Sequence, residues 1–148
     1  MKDAAALDAL VAFYETLSPE TLGRLSEFYD EDARFIDPFN DVTGHDAIAR
    51  IFADMFGKLD SPRFVVTGRY AACAPTPADE AMLRWELRFT SRLLGGAQAI
   101  EGATHLRLGA DGRVILHRDY WDAAGELYAR VPVLGWPVRG LARLLRAG

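Results

Sequence analysis

Two short stretches hold residue types able to move protons. In "RFIDPFND" (34–41), Asp37 and Asp41 box in Pro38 among Phe35, Ile36 and Phe39. Asp is a poor strand former and Pro cannot extend a ladder. The stretch is therefore either a strand-terminating turn or a carboxylate held among aromatic rings for proton transfer. In "HRDYWD" (117–122), period-two alternation puts Ile115, His117, Asp119 and Trp121 on one strand face, and Leu116, Arg118 and Tyr120 on the other. A carboxylate desolvated by Trp and Phe is a good proton shuttle near neutral pH, and His titrates there unaided. Asp37, Asp119 and His117 are the catalytic candidates. The competing reading pairs Asp119 and His117 with a basic neighbour on the next strand.

Other chemistries lack their residues. His45, His105 and His117 have no metal-ligand spacing and Cys73 stands alone, so neither a metal nor a disulfide is expected. There is no Gly-x-Gly-x-x-Gly or phosphate loop, so no cofactor is expected, and there is no Gly-x-Ser-x-Gly elbow for a serine nucleophile. A net charge of −4 gives no surplus to neutralise phosphates, so nucleic acid is not an expected partner. The 148 residues fit one domain, 1–148, with 131–148 as a C-terminal helical extension. The start, "MKDAAALDAL", has no signal-peptide pattern and no apolar run approaches a membrane span, which points to the cytoplasm.

Local patterning assigns the elements. Leu7, Leu10, Val11, Tyr14 and Leu17 recur at helical spacing. "SPETLGRLSEFY" predicts a second helix, with Ser18 as N-cap and an apolar stripe of Leu22, Leu25 and Phe28 or Tyr29. "ARFID" reads as a short strand. Thr43 and Asp46 match a capping box before a third helix that buries Ile48, Ile51, Phe52, Met55 and Phe56. Segments 63–74, 80–93, 98–109 and 112–122 alternate in twos and predict a four-strand meander, with "ARFID" at its edge. Asp122 can cap "AAGELYARV", and "VRGLARLLRAG" forms a last helix after a Gly-Trp-Pro break. That order predicts an α+β fold, with helices packed on one face of a curved antiparallel sheet around a concave cavity.

"FYDEDARFIDPFNDVTGHDAIARIF" and "THLRLGADGRVILHRDYWD" resemble the helix–strand–helix signature and last hairpin of the nuclear transport factor 2-like superfamily. Within it, the chain is similar to SnoaL-like and ketosteroid-isomerase-like proteins. The resemblance implies a cone-shaped (cystatin-like) fold, a small hydrophobic ligand or substrate, and a homodimer formed through the sheet. It places Asp37 at the general base of the ketosteroid isomerases. It places Phe13 at their enolate-holding Tyr, with Tyr14 adjacent, and Thr104 at their protonated Asp.

"LRWELRF" and "HRDYWD" also resemble limonene-epoxide-hydrolase-like enzymes, with Arg84, Glu86 and Asp119 as the carboxylate–Arg–carboxylate set. There the water-positioning residues fall on Phe35 and Asp37. In the polyketide-cyclase branch, Asp119 matches a metal-independent acid–base carboxylate. Together these imply cofactor-independent isomerase, cyclase or lyase chemistry. The cavity walls would be Phe13, Tyr14, Phe35, Phe52, Arg84, Trp85, Glu86, Thr104 and Trp121. A non-catalytic carrier, an epoxide hydrolase and a dimeric interaction module are the alternatives. In a dimer, the apolar face of Leu83, Trp85, Leu87 and Phe89 could be the interface. The last helix, with Arg139, Arg143 and Arg146 around Val138, Leu141, Leu144 and Leu145, is expected to pack back or lid the cavity rather than meet lipid.

Overall fold

Alternating apolar residues give the middle of the chain one face to bury, and four long strands result. The computed structural model, which describes residues 4–147, has β3 (Asp60–Ala71), β4 (Asp79–Ser91), β5 (Gly96–Leu108) and β6 (Val114–Tyr120) as the expected meander. Two earlier strands, β1 (Tyr29–Ile36) and β2 (Asp41–Thr43), extend it to the order β2-β1-β6-β5-β4-β3. Every pairing is antiparallel except that of β1 with β6. The "ARFID" strand is thus inside the sheet, and β2 takes the edge. The fold is mixed α+β, as expected.

Helices α1 (Ala4–Glu15) and α3 (His45–Lys58) cover one face of the sheet. Leu7, Leu10, Val11 and Tyr14 of α1 and Ile48 and Phe52 of α3 are buried against Leu83, Trp85, Phe89, Ile100 and Leu106. Burying a side chain of this size contributes about 1.5–3 kcal/mol. Leu83, Trp85 and Phe89 are therefore core of this chain, which corrects their reading as a dimer interface. A dimer formed through the sheet would have to use the opposite, polar face.

Three local expectations change. Ser18 and Thr21 do exchange hydrogen bonds (Ser18 N to Thr21 Oγ1 2.8 Å; Thr21 N to Ser18 Oγ 3.3 Å). The helix after them is only a 3-10 turn, Leu22–Arg24, and the short α2, Leu25–Phe28. Gly23 weakens it, and Tyr29 already belongs to β1. The Thr43–Asp46 box does not form, because Thr43 lies in β2 and Gly44, at φ +95°, takes the N-cap position before α3. Ile115 does not share the His117 face: pairing shifts from Arg107–Leu116 to Leu108–Val114, leaving Ile115 as the extra bulge residue, 36% exposed.

At the C-terminus Asp122 caps α4 (Ala123–Glu126), accepting from Gly125 N at 2.8 Å. A 3-10 turn (Tyr128–Arg130) leads to α5 (Gly135–Leu145), whose first turn contains Pro137, a tolerated position. The expectation that this helix packs back is overturned. Every residue from Leu141 to Ala147 is exposed, because α5 meets mainly the preceding 3-10 turn. Among the described residues no helix is long and apolar enough to cross a membrane.

Candidate active site

The inner face of β4, β5 and β6 sets the site by register. Leu83 pairs with Thr104 and Thr104 with Asp119, while His117 pairs with Leu106 on one side and Phe35 on the other. Antiparallel partners point the same way, so Thr104 and Asp119 emerge side by side. Thr104 Oγ1 donates to Asp119 Oδ1 at 2.5 Å, and the Trp85 indole Nε1 donates to Thr104 Oγ1 at 2.8 Å. The Trp85 ring lies over Gly102, where even a Cβ would come within 2.4 Å of it. A glycine is therefore required at that position for the indole to reach Thr104.

His117, 4% exposed, is the second partner of Asp119: its Nε2 lies 2.8 Å from Oδ1. Its Nδ1 is 2.8 Å from the Tyr29 hydroxyl and 3.2 Å from the Tyr14 hydroxyl, and the two hydroxyls are 2.7 Å apart. An ionised carboxylate can only accept, so these partners assign the hydrogen to Nε2. Tyr29 then donates to Nδ1, and Tyr14 donates to Tyr29. The chain Tyr14–Tyr29–His117–Asp119 is thus fully satisfied with a neutral imidazole. The Phe35 ring packs on the His117 ring at 4.4 Å and meets Phe52 edge-on at 5.8 Å.

Burial, the main cause, drives the Tyr14 and Tyr29 hydroxyls well above the ordinary tyrosine range, and the Asp119 charge adds to it. Both stay protonated at neutral pH and serve as donors. The same shift predicts an alkaline weakness. A raised folded-state pKa means that the unfolded chain loses its protons first as pH climbs. The tyrosine contribution is therefore intact below pH about 10 and is lost above it. Unfolding free energies from denaturant titrations at neutral to alkaline pH should fall above that point, by up to about 1.4 kcal/mol per pH unit for each tyrosine. Tyr14→Phe should reduce the slope.

Asp119 Oδ2 receives no hydrogen bond from any described residue, and Asp119 lines a cavity of about 440 Å³ between α3 and the sheet. Its walls are mainly apolar, with Phe35, Phe52, Phe64, Trp85, Phe89 and Trp121 prominent. A small recess of about 20 Å³ runs beneath, bordered by Tyr14, Thr104, His117 and Asp119.

Asp37 is on the same cavity wall, at the end of β1, yet touches neither Asp119 nor His117 through a hydrogen bond. Its Oδ1 accepts from Phe39 N and Asn40 N, both at 2.7 Å, and from Asn40 Nδ2 at 3.0 Å. That is a turn built on the Asp side chain. Only Asn40 Nδ2, at 3.1 Å, reaches Oδ2, which leaves this oxygen as the proton acceptor Asp37 could offer.

The structure brings Asp37, Asp119, Tyr14, Phe35, Phe52, Trp85, Thr104 and Trp121 to the cavity or its recess, with His117 directly behind Asp119. It does not bring three expected residues. Arg84 and Glu86 have the opposite parity to Trp85 and lie on the outer face, Arg84 bonded to Thr67 (3.2 Å) and Glu86 to Arg88 (2.9 Å). Phe13 is buried behind the site, stacked on Phe28 at 4.4 Å. Tyr29 was missed as a site residue because it reads as the end of a helical stripe. Phe64 and Asn40 were also missed, although the alternation at 63–66 carried the signal for Phe64.

Solved structures share this arrangement of helices and sheet. A Catenulispora acidiphila protein with a ketosteroid isomerase-like fold, in complex with trimethylamine, is 18% identical over 90% of this chain and 97% of its own, TM-score 0.69. A candidate SnoaL-like polyketide cyclase from Jannaschia sp. CCS1 is 15% identical over 81% and 87%, TM-score 0.66. An LEH-like epoxide hydrolase from M. tuberculosis is 18% identical over 95% and 94%, TM-score 0.63. At such identities the likeness is one of fold. No curated protein matches the sequence. The sequence model of the SnoaL-like domain matches residues 10–117, the greater part of the chain. The chain belongs to the SnoaL-like family of the nuclear transport factor 2-like superfamily.

Proposed function

We propose that the protein carries out cofactor-independent general acid–base chemistry, of isomerase, cyclase or lyase type, on a small and mostly apolar molecule. The observation that carries this reading is Asp119, whose Oδ1 is fixed by His117 and Thr104 while Oδ2 is left without a described partner on an apolar cavity wall. Fixing one oxygen holds the other at a set angle to a bound substrate, the geometric requirement for proton transfer. Asp119 Oδ2 takes a proton from the substrate and returns it to a second atom. His117 Nε2–H holds the Asp119 carboxyl group in place through both steps, and Asp37 is the second carboxylate along the wall.

The polyketide-cyclase resemblance agrees with this role for Asp119. Epoxide opening by a carboxylate–Arg–carboxylate set is disfavoured, because Arg84 and Glu86 lie on the outer face. Trp85 and Trp121 line the cavity and report on its occupancy. With Trp136→Phe removing the exposed tryptophan, cyclic enones and β-diketones are expected to quench the remaining fluorescence, whereas carboxylates of the same size are not. Prolonged incubation should convert at least one of these ligands. Ligands that bind but are returned unchanged across the panel would replace the enzyme with a carrier.

A further inference from the structure

The C-terminal helix does not take part in the site, and its exposure has no explanation within the domain. Trp136 is 72% exposed, Leu144 83% and Leu145 78%, with Leu141 also exposed. At 100° per residue, Leu141, Leu144 and Leu145 share one side of α5, and Arg139, Arg143 and the following Arg146 fall on the other. Charge is segregated along the chain. Residues 127–148 hold Arg130, Arg139, Arg143 and Arg146 and no acid, a charge of +4. The whole chain carries −4, so residues 1–126 carry −4 − 4 = −8. An acidic body is repelled by an anionic surface, and the tail alone is complementary to one.

We propose that α5 is a docking element for anionic lipid bilayers, lying in the interface with Leu141, Leu144 and Leu145 in the acyl boundary and Arg143 and Arg146 among the headgroups. A basic amphipathic helix with an exposed tryptophan has the chemistry of that surface. A peptide groove would be served by the leucines alone and gives no reason for the arginines. The mount is held firmly: Arg139 Nη1 donates to the Ala129 carbonyl, and Gly135 packs against that same carbonyl. The segment leading to it also borders the cavity, since Leu127 lines the wall and the Tyr128 ring meets Phe39 at 6.1 Å. A docked helix therefore brings the cavity close to the phase in which apolar molecules concentrate. That last consequence rests on the apolar substrate proposed above; docking itself does not.

The test is co-sedimentation of the full chain with vesicles of phosphatidylcholine, with and without phosphatidylglycerol. Binding is expected to the anionic vesicles only, and to fall as salt is raised. Arg143→Gln with Arg146→Gln should weaken it about 25-fold, at about fivefold for each arginine. Leu144→Asn with Leu145→Asn should abolish it, and both exposed pairs should leave the melting temperature unchanged. Asp119→Asn should bind like the wild type, so the outcome is independent of the acid–base chemistry. No binding to anionic vesicles, or equal binding by the leucine variant, would overturn the proposal. Concentration-dependent dimerisation lost in the leucine variant would overturn it too, because a second copy would then cover the helix.

Discussion

Asp119→Asn should lower turnover by roughly 10²- to 10⁴-fold, the usual contribution of a positioned acid–base group, while apolar ligands still bind within a few-fold of wild type. The substitution is nearly isosteric. Its amide oxygen can still accept from His117 Nε2 and Thr104 Oγ1, the two bonds that fix the side chain in the wild type. Only the basicity of the second oxygen is removed. Intact binding with lost turnover separates proton transfer from cavity shape, and a parallel loss of both would point to a collapsed site. Asp37→Asn is the companion measurement, since Asn forms the same side-chain turn. A fall in turnover there would assign the second carboxylate as well.

His117→Phe is expected to produce the largest loss of stability. A ring would remain beside Phe35, so packing is largely kept, but both hydrogen bonds of the imidazole, from Tyr29 to Nδ1 and from Nε2 to Asp119, would go. The Tyr29 hydroxyl, in a residue with no exposed surface, would lose its 2.8 Å partner. Leaving one buried polar group unsatisfied costs about 1–3 kcal/mol, and here the Asp119 carboxylate loses one of its two donors as well. A total of about 3 kcal/mol would lower the melting temperature by roughly 6–12 °C in a chain of this size. Tyr29→Phe removes a single hydroxyl and should cost about 1 kcal/mol. Equal losses in the two variants would mean that the imidazole is not the centre of the network.

Period-two alternation carried most of what was legible beforehand. It placed His117 with Asp119 and Trp121, and it placed Arg84 and Glu86 opposite Trp85; only the family resemblance drew those two toward the cavity. The same rule failed at Ile115, because a bulge is a feature of pairing with a second strand and leaves no mark in the local pattern. On α1, adjacent residues differ by 100°, so Phe13 and Tyr14 could not both face the site. Three-dimensional packing chose Tyr14. Tyr29 was hidden by a helix–strand boundary, the least predictable part of any element. Asp37 satisfies both readings of "RFIDPFND": its Oδ1 holds the turn while the residue borders the cavity. The amphipathicity of α5 was plain, but not its distance from the domain.

The central claim is that Asp119 exchanges protons with an apolar carbon acid in the cavity. The most direct measurement is deuterium wash-in from D₂O, followed by NMR, into the acidic C–H positions of cyclic enones and β-diketones. Wash-in above the buffer rate is expected with wild-type protein, with a return to that rate for Asp119→Asn. Equal exchange by both proteins would contradict it.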